Sequence, residues 1–319
     1  MPPLFPSYAG SGPYCYTHSL IMVATAAGAA PPPPGTVETL TGSPFGFQLI
    51  GGWLPLFDPY GWDPELGLDQ AIGLLGLNCV RTSGGTGDEA LDRLRSAAEH
   101  GPVLVGPVDM GLLLYRPGTP APGSGDHYVV VLDVAADGTV LLHDPQGHPY
   151  ATLEAPAFLD AWRAETVAYT DEPFVMRASF AEERTVTAEQ ALRNGLPLAA
   201  RWLGGRDDLP VPPGTLGGTA GIEGFAALVK AGLKPEVRGL LEHFAVRVGA
   251  RRVSDAADCL AGLGLPDAAA IAGEQARLIG ALQRPVTGGD DEALTAGLAR
   301  LAPGYERLRS ALAPALADA

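Results

Sequence analysis

Two segments rich in β-branched residues, 127–134 and 139–143, flank the turn Ala136-Asp137-Gly138. Asp-Gly between two such segments is typical of a β-hairpin. We therefore predict two antiparallel strands, with His127 opening the first strand and Asp144 following the second. Because the open end of a hairpin brings the outer ends of its strands together, we expect His127 and Asp144 to be neighbours.

The pattern along the rest of the chain predicts an α+β fold in two domains, 1–180 and 181–319. Up to about residue 180, short helical segments accompany β-like segments. Beyond it, nearly every segment is rich in Ala, Leu, Arg and Glu at helical spacing, so an all-helical domain is expected. Residues 36–64 show little periodicity and are expected to be irregular, either lining a pocket or forming a lid, or packing as loops on their own aromatic residues. The predicted helices are 15–29, 65–75, 88–100, 155–165, 187–203, 221–231, 235–248, 253–263, 267–282 and 290–316. The further predicted strands are 78–82, 102–108, 149–152 and a final strand made of 166–169 and 174–176.

The composition excludes several classes of protein. The net charge of −15 argues against binding to nucleic acids or to anionic membranes. Three cysteines form neither a disulfide framework nor a zinc motif, so we expect no metal. The N-terminus lacks the basic start of a signal peptide, and the apolar run 20–30 is too short to span a bilayer. We expect a cytoplasmic protein.

Cys15 lies between a Gly/Pro turn and a run of small and apolar residues, at the expected start of a helix. The helix dipole and the free N–H groups there favour a thiolate, which is the nucleophilic form of cysteine. The alternative is a small buried residue in a core helix. Cys79 and Cys259 are expected to be core residues.

Cys15, His127 and Asp144 together would form a nucleophile, a general base and a carboxylate that orients the base. Asp126 and Asp133 are alternatives for the carboxylate. A helix cap or packing is the expected role of His18, and the alternative is that it tunes the Cys15 thiolate from its neighbouring helical position. His143 and His148 flank Asp144, but their spacing fits no common metal site.

The order Cys, His, Asp resembles the papain-like cysteine enzymes. The chain is still more similar to the butirosin biosynthesis protein H family. The segments that carry this resemblance are YCYTHSL, GPVLVGPVDMGLLLY, DHYVVVLDV and LLHDPQG, followed by a helical half.

This resemblance implies a papain-like catalytic domain over 1–180 and a cysteine acyltransferase of natural-product biosynthesis. The acyl group would come from a carrier-protein phosphopantetheine thioester and pass through an acyl-Cys15 intermediate to an amine, without a cofactor. No Gln precedes Cys15 as the oxyanion donor of papain-like peptidases. We therefore expect the donors to be the N–H groups of Cys15 and Tyr16, or the side chain of Ser11 or Tyr14. Asp109 and Tyr115 are candidates for the acceptor pocket, so the candidate substrate-binding residues are Tyr14, Tyr16, Asp109 and Tyr115.

Other functions stay open at this point. A thioesterase, amidase or peptidase would use the same three residues with water as the acceptor, and a cyclase would use an acceptor within the acyl chain. A binding protein would have an unreactive cysteine. In the helical half, an arginine cluster would suit an acidic carrier protein or its phosphopantetheine phosphate. Its members are Arg238, Arg247, Arg251 and Arg252.

Overall fold

A computed structural model describes residues 5–10 and 12–317 of the 319-residue chain. The chain divides into two compact units. One contains the described residues up to 34 together with 75–185, and the other contains 35–74 together with 186 onwards. The domain boundary expected near residue 180 thus coincides roughly with one junction, but residues 35–74 belong with the C-terminal part of the chain.

The strands fall into two antiparallel sheets. They are β1 (Gln48–Ile50), β2 (Leu54–Leu56), β3 (Leu77–Thr82), β4 (Val103–Asp109), β5 (Asp126–Val134), β6 (Thr139–Asp144), β7 (His148–Glu154), β8 (Met176–Glu182) and β9 (Leu216–Gly217).

The helices are distributed over the whole chain and dominate its C-terminal region. They are α1 (Cys15–Ala26), α2 (Pro34–Leu40), α3 (Pro64–Leu74), α4 (Gly87–Ala98), α5 (Ala155–Trp162), α6 (Ala188–Leu203), α7 (Gly218–Ala231), α8 (Pro235–Leu240), α9 (Val246–Gly262), α10 (Pro266–Ala281), α11 (Gln283–Gly288), α12 (Asp291–Leu301) and α13 (Gly304–Ala317). A 3-10 turn, Met110–Leu112, follows β4, and a π-helical turn, Leu241–Ala245, joins α8 to α9.

The sheet of the first unit has the strand order β3-β8-β4-β5-β6-β7, and every neighbouring pair is antiparallel. Strands β5 and β6 form the predicted hairpin. The Ala135 N–H donates to the Thr139 carbonyl at 2.9 Å, and Gly138 adopts a φ of 90° that favours glycine. This hairpin therefore sets the relative position of residues 127 and 144.

Helices cover both faces of this sheet. Val129 and Val131 belong to a core cluster with α4 and α5, whereas Tyr128 between them contacts α1. Because successive side chains of a strand point to opposite faces, α1 lies on the face opposite α4 and α5. The first unit is thus a three-layer arrangement, with α1 packed against β5.

Local sequence signals explain several helix starts. Thr86 and Thr187 each form a capping box with the Glu or Gln three residues later, at the starts of α4 and α6. Asp63 caps α3, because its carboxylate accepts a hydrogen bond from the Leu66 N–H at 2.9 Å. These starts agree with the sequence prediction.

Two other predictions differ from the structure. The last strand, β8, begins at Met176, while the predicted segments 166–169 and 174–175 are not strand, because Pro173 and the positive φ of Phe174 (59°) interrupt an extended path. Residues 36–64 are not irregular throughout: they contain α2, β1 and β2.

In the second unit, β1 pairs with β2 and β9, and Phe47, just before β1, packs against Phe57 and Phe225. The predicted helices 235–248 and 253–263 are instead α8, the π-helical turn and the continuous α9. The predicted helix 290–316 is divided at Pro303 into α12 and α13.

Within the part of the chain that the structure describes, no helix combines the length and the apolar character needed to cross a bilayer.

Candidate active site

The β5–β6 hairpin brings the imidazole of His127 against the carboxylate of Asp144. The distance from Nε2 to Oδ1 is 2.7 Å, and both side chains are fully buried. Hairpin geometry predicts this contact, because residue 127 lies at the start of one strand and residue 144 at the end of the next. The pair is thus held by the rigid backbone of the sheet.

Asp144 lies at the centre of a wider hydrogen-bond network. Its Oδ2 accepts from the Tyr115 hydroxyl at 3.1 Å and from Arg116 Nη1 at 2.6 Å, and its Oδ1 also accepts from the Gln146 N–H at 2.7 Å. Burial opposes ionisation of Asp144, but the charge and hydrogen bond of His127, the Gln146 N–H and the Arg116 charge outweigh it. The pKa of Asp144 therefore lies below its usual range.

The ionised Asp144 determines which nitrogen of His127 is basic. A carboxylate only accepts hydrogen bonds, so in the neutral imidazole Nε2 carries the proton and Nδ1 has the free lone pair. Nδ1 is buried and bonds to no described residue. His127 is thus oriented by Asp144 and keeps one nitrogen available to accept a proton.

Cys15 is the first residue of α1, where the first N–H groups of a helix have no partner within it. The preceding residue, Tyr14, has φ 79° and ψ 44°, an uncommon left-handed conformation for a residue with a side chain. The Cys15 residue is half-buried. The chain therefore turns sharply just before the thiol.

The environment of Cys15 does not favour a resting thiolate. Burial is the main cause that raises the pKa of its thiol, and the Asp126 charge adds to it, while hydrogen bonds from the backbone N–H groups of Tyr128 and Tyr16 oppose the rise. The expectation that the helix N-terminus lowers this pKa is therefore wrong. Burial and a nearby carboxylate outweigh the two backbone N–H groups.

Cys15 lies close to the part of β5 that contains His127. The Tyr128 N–H acts on the Cys15 thiol, and Tyr128 follows His127 directly. Two further contacts join α1 to this point: the Tyr16 and Tyr128 rings meet edge to face at 6.0 Å, and the Ser19 hydroxyl donates to the Tyr128 carbonyl at 3.4 Å. The start of α1 is thus fixed against the start of β5.

Three of the four residues expected to bind substrate are tyrosines, and the structure shows what each of them contacts. Tyr14 and Tyr16 are buried, so their rings pack within the unit. The Tyr115 hydroxyl donates to Asp144, and burial followed by the Asp144 charge raises its pKa, so it stays protonated as a donor. Ser11, the other expected oxyanion side chain, lies outside the described residues.

Asp109 is a correction to the acceptor-pocket prediction. Its Oδ1 accepts from the Gly111 N–H at 2.9 Å, and its Oδ2 accepts from the Gly123 N–H at 2.8 Å and the Thr166 hydroxyl at 2.7 Å. The carboxylate is fully used and buried. Asp109 therefore holds the loop after β4 in place and does not present its charge to an amine.

Three residues near Asp144 were not predicted from the sequence. Arg116 also donates to Gln146 Oε1 at 2.8 Å, so it fixes the turn after β6 as well as the carboxylate. The Tyr8 hydroxyl donates to the Asp144 carbonyl at 3.0 Å and accepts from the Gly147 N–H at 2.8 Å. Arg116 begins the Pro/Gly-rich segment 116–125, and Tyr8 lies in the segment before α1. Neither segment has a sequence pattern that indicates these long-range hydrogen bonds.

His143 has a structural role. Its Nδ1 accepts from the Tyr150 N–H at 3.1 Å, so its Nε2 donates to the Pro6 carbonyl at 3.3 Å. Burial lowers its pKa, which agrees with a neutral ring. Among the described residues, no group of three or more His, Cys, Asp or Glu side chains is placed to hold a metal ion.

The arginine cluster of the helical half is divided among separate ion pairs. Arg252 is buried and donates to Glu38 at 2.8 Å and to Asp58 at 3.2 Å. Arg238 pairs with Asp291, and Arg251 lies 3.7 Å from Asp255. The four arginines therefore do not form one unpaired basic cluster, because Arg252 is in the core and Arg238 and Arg251 lie against acids, and the docking of a carrier protein stays a prediction.

The chain is similar to a protein family and to a curated bacterial protein. Residues 212–313 match a protein-family model described as the YobF C-terminal domain. Over 163 residues, the chain is 31% identical to "Uncharacterized protein YobF" of Bacillus subtilis (strain 168), a match that covers 51% of this chain and 52% of that protein. The chain thus spans about half the length of this curated relative.

Proposed function

We propose that this protein is a papain-like cysteine acyltransferase. It moves an acyl group from a carrier-protein thioester to an amine, as the resemblance to the butirosin biosynthesis protein H family implies. Cys15 is the nucleophile, His127 the general base and Asp144 the residue that orients it. The observation that carries this proposal is the buried His127–Asp144 pair, with 2.7 Å between Nε2 and Oδ1. His127 Nδ1 has no hydrogen-bond partner among the described residues, and His127 lies on β5, the strand against which the start of α1 packs.

In the first half-reaction, His127 Nδ1 takes the proton of the Cys15 thiol, and the sulfur attacks the carbonyl carbon of the thioester. The new C–S bond to Cys15 forms as the C–S bond to the carrier breaks. The leaving carrier sulfur then takes the proton from His127. Because burial raises the pKa of the resting thiol, the sulfur starts as a thiol and needs His127 to take its proton.

In the second half-reaction, a neutral amine attacks the acyl-Cys15 carbonyl. A C–N bond forms, the C–S bond breaks, and the amine proton passes through His127 to the Cys15 sulfur. The N–H groups at the start of α1 are the candidate donors for the oxyanion in both half-reactions. A thioester is an activated acyl donor, which suits a site without a glutamine oxyanion donor.

The test is intact-protein mass spectrometry after incubation with acyl-N-acetylcysteamine, acyl-CoA or an acyl carrier protein. We expect one acyl adduct on the wild-type protein and none on Cys15→Ala. Cys79→Ala and Cys259→Ala are matched controls, because both residues are half-buried cysteines outside the site, and both should keep the adduct. Failure of every donor to give a Cys15-dependent adduct would contradict the proposal.

Addition of an amine to the acyl-enzyme then identifies the acceptor. Amide formation supports acyl transfer. Release of free acid at the same rate with and without amine would show a hydrolase that uses the same three residues, and an intramolecular product would show a cyclase. His127→Ala should slow adduct formation by on the order of a hundredfold or more, because it removes the general base.

A further inference from the structure

A second candidate site lies on the α4 side of the sheet in the first unit. It is a groove of about 320 Å³ between α4 and the outer strands β3 and β8. Its floor consists of two cross-strand pairs, Val80 with Ala178 and Thr82 with Met176. Arg93 on α4 and His100 just beyond it form the wall.

Two polar atoms in this groove are buried without a hydrogen-bond partner among the described residues. They are Thr82 Oγ1 and Arg93 Nε. The guanidinium is otherwise held by one bond, from Nη2 to the Gly84 carbonyl at 3.0 Å. Glu89, one turn earlier, directs its carboxylate to the N–H and hydroxyl of Thr86, at 2.8 and 3.0 Å. The Glu89 charge acts on Arg93 from this position, but Arg93 Nε has no hydrogen-bond partner among the described residues.

These features define the chemistry of a ligand. A buried N–H of a charged group is costly to leave unpaired, so a ligand with an acceptor gains from binding there. Asp and Glu are absent from the described residues that line the groove, and the Arg93 guanidinium among them suits an anionic acceptor. Val80, Met176 and Ala178 form an apolar floor that suits a hydrocarbon group, and the volume is in the range of small-molecule sites.

We propose that this groove binds a small organic acid. Its carboxylate accepts hydrogen bonds from Arg93 Nε and from the Thr82 hydroxyl, and its apolar body rests on Val80, Met176 and Ala178. The His100 ring lies at the mouth, where Nδ1 donates to the Ser96 carbonyl at 2.8 Å and Nε2 stays available for the ligand. This site is separate from the chemistry proposed at Cys15.

The probe is benzoate, with neutral benzamide as its isostere and inorganic phosphate as an anion without an apolar body. Titrations are followed by amide chemical shifts of α4, β3 and β8 in the full chain. We expect saturable shifts with benzoate, and binding at least about tenfold weaker with benzamide, because the charge-assisted hydrogen bond is lost.

Arg93→Gln should weaken benzoate binding about tenfold, and Thr82→Val should weaken it by less, since only a neutral donor is removed. Arg95→Gln is the matched control, because Arg95 lies on the same helix and pairs with exposed Asp92. Equal affinities for benzoate and benzamide, an unchanged affinity in Arg93→Gln, or saturation by phosphate alone would overturn the proposal. None of these readouts depends on acyl transfer.

Discussion

Besides burial, which is the main cause, two residues of β5 act on the pKa of the Cys15 thiol. Asp126 places a negative charge near the thiol, and Tyr128 directs a backbone N–H towards it. The Asp126 carboxylate is held in place, because the Tyr169 hydroxyl donates to its Oδ2 at 2.8 Å and also lies 3.2 Å from the Tyr128 hydroxyl. A fixed carboxylate next to a thiol favours the uncharged form of that thiol.

Replacing Asp126 should therefore make Cys15 more reactive. In Asp126→Asn the thiol loses a neighbouring charge, so its pKa should fall and the thiolate should form at lower pH. We expect alkylation by iodoacetamide to become several-fold to about tenfold faster below the pKa, since one pKa unit corresponds to a factor of ten in thiolate. The measurement is the pH dependence of the alkylation rate of Cys15, read by mass spectrometry.

The control for this prediction is Asp133→Asn. Asp133 lies on the same strand but is exposed, so its removal should leave the rate profile unchanged. The same rates in wild type and Asp126→Asn would show that the Asp126 charge does not act on the thiol.

At the scale of single elements, the start of α3 carries an electrostatic cost. Burial raises the pKa of the capping carboxyl of Asp63 to about 6, with smaller contributions from Glu65 and Asp69, against the opposing Leu66 N–H. An unfolded Asp titrates near 3.9. Between about pH 4 and pH 6 the folded chain thus holds a proton that the unfolded chain has lost, so stability falls as the pH rises through this window.

Asp63→Asn should remove this cost and keep the cap, because the amide oxygen still accepts from the Leu66 N–H. We expect the variant to be more stable by about 1–2 kcal/mol at pH 7.5, after allowance for the lost charge–dipole attraction, and equal to wild type near pH 4. The measurement is the thermal midpoint from pH 4 to pH 8. Asp63→Ala lacks both the charge and the cap, so a gain in Asp63→Ala as large as in Asp63→Asn would contradict a capping role.

Elements with local signals were predictable from the sequence. The β5–β6 hairpin, the capping boxes at Thr86 and Thr187 and the Asp63 cap each depend on residues a few positions apart. The short range of the hairpin signal also explains why the sequence predicts that His127 and Asp144 are neighbours. Their separation along the chain is bridged by one turn and two strands.

The rest of the site depends on contacts between distant residues. The carboxylates of Asp109, Asp126 and Asp144 all lie in β-strands, and sequence alone does not distinguish their surroundings. Only the folded loop after β4 shows that Asp109 bonds to Gly123 and Thr166, and that Arg116 reaches Asp144. The raised pKa of Cys15 is likewise set by burial and Asp126, which no pattern around residue 15 reveals.

At the scale of the whole molecule, the second unit is discontinuous in sequence. Residues 35–74 supply the acids Glu38 and Asp58 to buried Arg252, and they supply Gln70, which accepts from Trp202 Nε1 at 2.9 Å. Strand β1 also pairs with β9. The family match at 212–313 covers only part of this unit. The helices of the C-terminal half therefore depend on a segment that precedes them by more than a hundred residues.

A fragment of residues 181–319 should consequently fail to fold cooperatively. It would bury Arg252 without its two carboxylates, and loss of the partners of a buried charge typically costs about 3–5 kcal/mol, a large part of the stability of a domain. We expect a broad thermal transition by circular dichroism and weak near-ultraviolet signal from Trp202. A fragment that joins residues 35–74 to 186–319 through a flexible linker should restore a sharp transition, and Arg252→Ala in that fragment should lower its midpoint. A sharp transition in 181–319 alone would show that residues 35–74 are dispensable for this unit.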